Sequence, residues 1–182
     1  MIYASQVHAG QKRKGTETPY ITHLLAVAAI VGENGGTENE AVTALLHDAP
    51  EDQGGEERLE DIRARFGDEV AEIVAGCSDT FETPKPEWKE RKERYIERVR
   101  ENSNSVRLVS AADKLHNARS VLSDYRESGE DLWERFTGGR EGTLWYYGAL
   151  VEAFREAETS PSIVGELDRT VTELEHLAGA GV

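Results

Sequence analysis

The chain has 182 residues, enough for one domain that buries a hydrophobic core without covalent staples. Its 35 acidic against 21 basic residues leave a formal charge of −14, which disfavours long nucleic acids as partners and admits a small anionic ligand only where local basic residues override the field. The single cysteine, Cys77, excludes an internal disulfide, and no apolar run reaches membrane-spanning length, so composition predicts a cytoplasmic protein with no membrane partner.

Taken in chain order, the predicted elements are helical almost throughout. His23, Ala26, Val27 and Ile30 share one helical face, and Ala41, Ala44 and Leu45 repeat the period in the next segment. Leu59, Ile62 and Phe66 form a third stripe, stopped at Gly67, and Val70, Ile73 and Val74 a short helix ending near Gly76. Tyr95, Ile96 and Val99 lie in a long charged helix. Leu108, Ala111, Leu115, Ala118 and Leu122 then mark a central one. Two more patterns run through Leu144 to Ala153 and Ile163 to Leu177. Loops are expected at Gly32 to Gly36, Gln53 to Gly55, Thr80 to Pro86 and Gly138 to Gly142. No alternating strand pattern, internal repeat or domain linker is present, which predicts an all-α fold in one domain over 1–182.

The chemistry concentrates at His47-Asp48 followed by Glu51-Asp52. An imidazole nitrogen beside a carboxylate oxygen is mixed ligation suited to Mn²⁺, Fe²⁺ or Zn²⁺, whereas an all-oxygen set would suit Mg²⁺ or Ca²⁺. On a continuous helix Glu51 and Asp52 would stand one turn, about 5.4 Å, beyond the pair. Pro50 opposes that continuity: it cannot donate to Leu46 and biases Ala49 away from helical angles, so the helix is expected to kink or end at Asp48. A His-Asp dipeptide alone is commonly a cap or a surface pair. His23, on an apolar face, and Asp113, within Ala111-Ala112-Asp113-Lys114-Leu115, are two more inward ligand-type residues. Each alone reads as a satisfied core group, with Asp113 paired to Lys114 or a nearby arginine. Together with His47-Asp48 they are more simply explained by one shared metal, because an uncompensated buried carboxylate costs several kcal/mol.

The order His23, His47-Asp48, Asp113 resembles the metal set of the HD superfamily. The surrounding words are closer still to the hydrolase domain of Rel/SpoT alarmone enzymes. His8-Ala9-Gly10-Gln11-Lys12-Arg13-Lys14-Gly15 and Pro19-Tyr20-Ile21-Thr22-His23 resemble its opening. His47-Asp48-Ala49-Pro50-Glu51-Asp52 resembles its HDxxED motif, and Ala112-Asp113-Lys114-Leu115-His116-Asn117-Ala118-Arg119-Ser120 its ADRLHNMRT segment. Thr143, Leu144 and Tyr147 are similar to the ETLxIYAPLA stretch. The similarity covers residues 1–155, and the one-domain form is that of the small alarmone hydrolases.

The resemblance implies an HD-type helical bundle holding one metal, Mn²⁺, on His23, His47, Asp48 and Asp113. It implies that Glu51 and Asp52 organise the attacking water, and that Arg13, Lys14, Asn117, Ser120 and Tyr147 bind the nucleotide. The helical spacing of Asp113, Asn117 and Ser120 on one face independently agrees with part of that set. His8 and His116 are expected to have structural hydrogen-bonding roles, and His176 none. The implied reaction is hydrolysis of the 3′-pyrophosphate of (p)ppGpp to pyrophosphate and GDP or GTP. A related nucleotide phosphatase, for example on NADPH, an antitoxin to a toxic synthetase, and a non-catalytic HD binding module are the alternatives; a homo-oligomer stays open. Pro50 and Gln53 depart from the family pattern, as do Pro84-Lys85-Pro86-Glu87-Trp88-Lys89 and Phe136-Thr137-Gly138-Gly139-Arg140.

Overall fold

The eight periodicities are realised within a set of ten α-helices among the described residues, 1–80 and 84–179, of a computed structural model; the helices Ile2–Val7 and Ala49–Asp52 of that set had no predicted pattern. They are α1 (Ile2–Val7), α2 (Ile21–Glu33), α3 (Glu38–Leu46), α4 (Ala49–Asp52), α5 (Gly55–Phe66), α6 (Asp68–Cys77), α7 (Trp88–Glu101), α8 (Asn104–Ser128), α9 (Gly139–Glu156) and α10 (Pro161–Gly179), with a 3₁₀ turn at Gly129–Arg135. No strand occurs among the described residues; one isolated bridge joins Lys12 to Pro19. The fold is all-α.

Helix α8 is the axis, packed against α2, α3, α6, α9 and α10. Its buried positions include Val109, Ala112 and Val121 besides Ala111, Leu115, Ala118 and Leu122, so burial wraps around the helix instead of keeping to one stripe. That is the pattern of a helix covered on several sides. Around it lies the larger core, with Leu115, Leu150, Phe154, Leu167 and Leu174 essentially inaccessible. Each such side chain contributes about 1.5–3 kcal/mol relative to exposure. A second core, built on Leu24, Leu46, Ile62, Val70 and Val74, joins α2 and α3 to α5 and α6. The candidate residues His23, His47 and Asp113 come from helices and a junction that contribute to these cores.

Several expectations need correction. Helix α9 begins at Gly139, so most of the Gly138 to Gly142 stretch is helix, not loop. Glycines there read as breakers, but a Cβ at Gly138 or Gly142 would stand 2.6 and 3.1 Å from the Trp88 indole, so close packing is what selects them. Helix α2 runs through Gly32, leaving a turn that needs glycine at Gly36, where a Cβ would stand 2.4 Å from Val31. Phe66 closes the stripe of α5 but is 36% exposed, edge-on to Tyr3 of α1 at 5.4 Å. Of the expected Thr80 to Pro86 loop, residues 81–83 lie outside the described residues.

Candidate metal centre and anion cavity

Helix α3 starts on a capping box in which Thr37 and Glu40 bond each other's backbone N–H, and it ends at Leu46. His47 and Asp48 keep right-handed helical angles, and α4 then opens with Pro50 in its first turn, where the missing N–H leaves nothing unmade. The Asp52 amide still donates to the Asp48 carbonyl at 2.9 Å, so the one-turn offset of the acidic pair survives the break. Neighbours on a straight helix diverge by about 100°. His47 Nε2 and Asp48 Oδ2 nevertheless approach to 3.1 Å.

The opposite wall comes from α2 and α8. His23 Nε2 lies 3.2 Å from Asp113 Oδ1 and 3.5 Å from Asp48 Oδ2, and His47 Nε2 lies 3.6 Å from Asp113 Oδ1. His23, His47 and Asp113 are buried; the Asp48 side chain keeps 23% of its surface. His47 donates Nδ1–H to the Ala44 carbonyl at 2.8 Å, which leaves Nε2 as its free nitrogen. His23 Nδ1 sits 2.8 Å from His116 Nδ1. Neither Nε2 has a hydrogen-bond partner, yet both face carboxylate oxygens. Lone pairs so opposed repel unless a proton or a cation stands between them. Donors of His23, His47 and Asp113 lie within 4.8 Å of one another, and the nitrogen–oxygen set fits a divalent metal.

The surroundings tune these groups. Burial pushes both Asp48 and Asp113 up, but His47 and His23 outweigh it at Asp48, and Lys114 with the histidines outweighs it at Asp113, so both stay well below the usual carboxylate range. Burial opposes the charged form of His47, but Asp48 and Asp113 raise it well above an ordinary imidazole. The cluster therefore demands positive charge. Lys114 Nζ takes Asp113 Oδ2 at 2.7 Å and leaves Oδ1 to the histidines and to Asn117 Nδ2 at 2.5 Å. Burial and Asp48 push the Tyr20 phenol upward, so it remains a donor, and it reaches Asp48 Oδ2 at 2.6 Å.

Glu51 and Asp52 are held differently. Glu51 accepts from Lys85 Nζ at 2.9 Å and from the Asp79 amide at 3.1 Å. Asp52 faces the cavity and accepts from Gln11 Nε2 at 2.7 Å; partial desolvation and the charge of Asp48 push its carboxyl up. The cavity, about 600 Å³, is lined by Arg13, Lys14, Asn117, Ser120, Tyr147, His116 and Asp52 among others. Arg13 donates to Asn117 Oδ1 at 2.8 Å, whereas Lys12 is tied to Glu17. His8 pairs with Gln11 at 2.7 Å and stacks on Tyr20. Sequence reasoning gave no role to Tyr20, Gln11 or Asp79, and read Lys85 only as the start of a basic stretch running to Arg100. Tyr20, one turn before His23 on the same face, carried a readable signal; Asp79 and Lys85 reach Glu51 only through the fold.

The family profile described as HD domain matches residues 1–144. A guanosine-3′,5′-bis(diphosphate) 3′-pyrophosphohydrolase of Xenopus tropicalis, MESH1, is 40% identical over 122 residues, 65% of each chain. Its human counterpart is 36% identical over the same shares. The chain thus spans 65% of the length of these curated relatives. Among solved structures, a metazoan ortholog of SpoT that hydrolyses ppGpp superposes with a TM-score of 0.79 at 28% identity, over 95% of this chain and 92% of that one. The Listeria monocytogenes protein lmo0812 superposes with a TM-score of 0.72 at 33% identity, over 86% and 99%.

Proposed function

The chain belongs to the HD-domain family, and from that premise we propose that it hydrolyses the 3′-pyrophosphate of (p)ppGpp, releasing pyrophosphate and GDP or GTP. The observation that carries this reading is the pair of unpartnered, buried Nε2 atoms of His23 and His47 facing Asp48 and Asp113 beside a cavity lined by Arg13 and Lys14. Relatives named as pyrophosphohydrolases of this nucleotide support the choice of substrate.

His23, His47, Asp48 and Asp113 would hold one Mn²⁺, the softer nitrogens favouring it over Mg²⁺. When bound, the metal supplies Lewis acidity toward phosphate and water. Arg13 and Lys14 offset phosphate charge that a protein of net −14 otherwise repels. Asn117 and Ser120, one turn apart on α8, and Tyr147 across the cavity position the nucleoside. Asp52, its pKa raised and its carboxylate open to the cavity, takes the proton of the attacking water. Glu51, with both oxygens occupied by donors, orients that water. The bond between the 3′ oxygen and phosphorus breaks, and the leaving oxygen collects a proton from the newly protonated Asp52 or from solvent.

The test is turnover of ppGpp by purified protein with Mn²⁺, alongside NADPH and other nucleotides. Asp52→Asn should lose about 10²–10⁴-fold in kcat while metal content stays normal. Glu51→Gln should lose less. Equal rates for wild type and both variants would remove the acidic pair from the mechanism, and turnover of NADPH alone would replace the substrate.

A further inference from the structure

The two segments that depart from the family words meet in space. Trp88, the first residue of α7, lays its indole on Gly138 and Gly142 of the α9 entrance. A Cβ on Gly138 would stand 2.6 Å from Cη2 and 2.7 Å from Cζ2 of that ring, and one on Gly142 would stand 3.1 Å from Cη2. Only bare backbone admits the ring this closely. Trp145 and Tyr146 of α9 hold the indole edge-on, at centroid distances of 6.3 and 6.4 Å.

Three residues before Trp88 stands Lys85, whose Nζ meets Glu51 at 2.9 Å. Pro84 and Pro86 flank it, fixing their own φ and biasing Lys85 toward an extended conformation. Arg91, one turn into α7, donates Nε–H to the Pro86 carbonyl at 3.2 Å and also pairs with Asp79, whose amide serves the other oxygen of Glu51. Lys85 is therefore presented on a short, stiff strap pinned at Pro86 and at Trp88.

We infer that Trp88, seated in the Gly138–Gly142 notch, is a positioning residue that holds Lys85 against Glu51 and so sets the orientation of the acidic pair. This rests on the reading of Glu51 given above. Half-exposed ion pairs are weak in isolation, because two long side chains lose freedom to form them. Lys85 is 49% exposed, so the pair depends on prior ordering of the strap.

The test perturbs the latch from both sides. Trp88→Ala empties the notch; Gly138→Ala fills it, at a position whose φ of −78° and ψ of −5° suit alanine. Each should lower kcat for ppGpp about tenfold, within the range that misplacement of a reacting group produces. In a Lys85→Met background the same changes should alter kcat less than about twofold, because the group they position is gone. Trp88→Phe in the Gly138→Ala protein, which shortens the ring where the new methyl stands, should recover most of the rate. Melting temperatures on the same preparations separate loss of fold from loss of position. Equal losses in both backgrounds would make Trp88 a stability residue only and overturn the inference, as would unchanged kcat in both single variants. If Glu51→Gln and Lys85→Met leave turnover untouched, the role of Glu51 falls and takes the latch with it. A damaged Glu51→Gln with an additive Trp88 effect sinks the latch alone.

Discussion

His116 offers the metal cluster no atom, yet it decides what His23 can offer. The two Nδ1 atoms are 2.8 Å apart, so one must donate and the other accept. For His23 Nε2 to present a lone pair, its proton must sit on Nδ1 and His116 must accept it. Burial foremost, with the Arg13 charge nearby, pushes His116 below the ordinary imidazole range, which keeps it neutral and able to accept. The same logic holds at His47, where the Ala44 carbonyl fixes the proton on Nδ1. Replacing His116 with Phe keeps the ring volume and deletes the acceptor. Metal affinity, measured by competition with a chelator, should fall about 10–100-fold. His116→Asn, which can still accept, should recover part of that loss. Wild-type affinity in His116→Phe would show that His23 is oriented by packing alone.

At the scale of the element, α3 delivers His47 and depends on its first turn. Burial acts to raise Glu40, but bonds from the Thr37 backbone, Ser105 and the Thr37 hydroxyl prevail and depress it below its ordinary 4.5. A depressed folded-state value means that the ionised form stabilises the fold. That contribution is complete above the unfolded pKa and is lost as pH falls through the folded one. Glu40→Gln should therefore cost about 0.5–2 kcal/mol at neutral pH, and the difference from wild type should shrink below pH 4.5. Denaturant titrations at neutral and acid pH check both halves; a pH-independent difference would assign the loss to packing. The break after α3 was legible because Pro50 has a local, covalent effect on the backbone. The start of α9 was not, because Gly138 and Gly142 answer to Trp88, 50 and 54 positions away.

Across the whole molecule, the four proposed ligands tie α2, the α3–α4 junction and α8 together, elements drawn from both cores. A cation held there binds the folded chain and not the unfolded one. At free Mn²⁺ 100-fold above Kd, linkage gives about 2.7 kcal/mol of stabilisation. For a chain of this size that is a rise of about 5–10 °C in melting temperature. Asp48→Asn should reduce the response, since it weakens the site at its most accessible ligand. A melting temperature indifferent to Mn²⁺ and chelator in the wild-type protein would place the metal elsewhere. No helix among the described residues is long and apolar enough to cross a membrane.

The sequence by itself determined eight of the ten helices, the break at Pro50 and the candidate ligands His23, His47, Asp48 and Asp113. Helical periodicity, proline geometry and the cost of burying His and Asp act over a few residues. The fold decided what those residues do with one another. Which imidazole nitrogen is free depends on His116 and Ala44, and which carboxylate is open depends on Lys85, Asp79 and Gln11. Those partners lie 3 to 93 positions away. Hydrogen-bond direction and desolvation are set by distances in space, and a linear pattern carries no record of the distant ones.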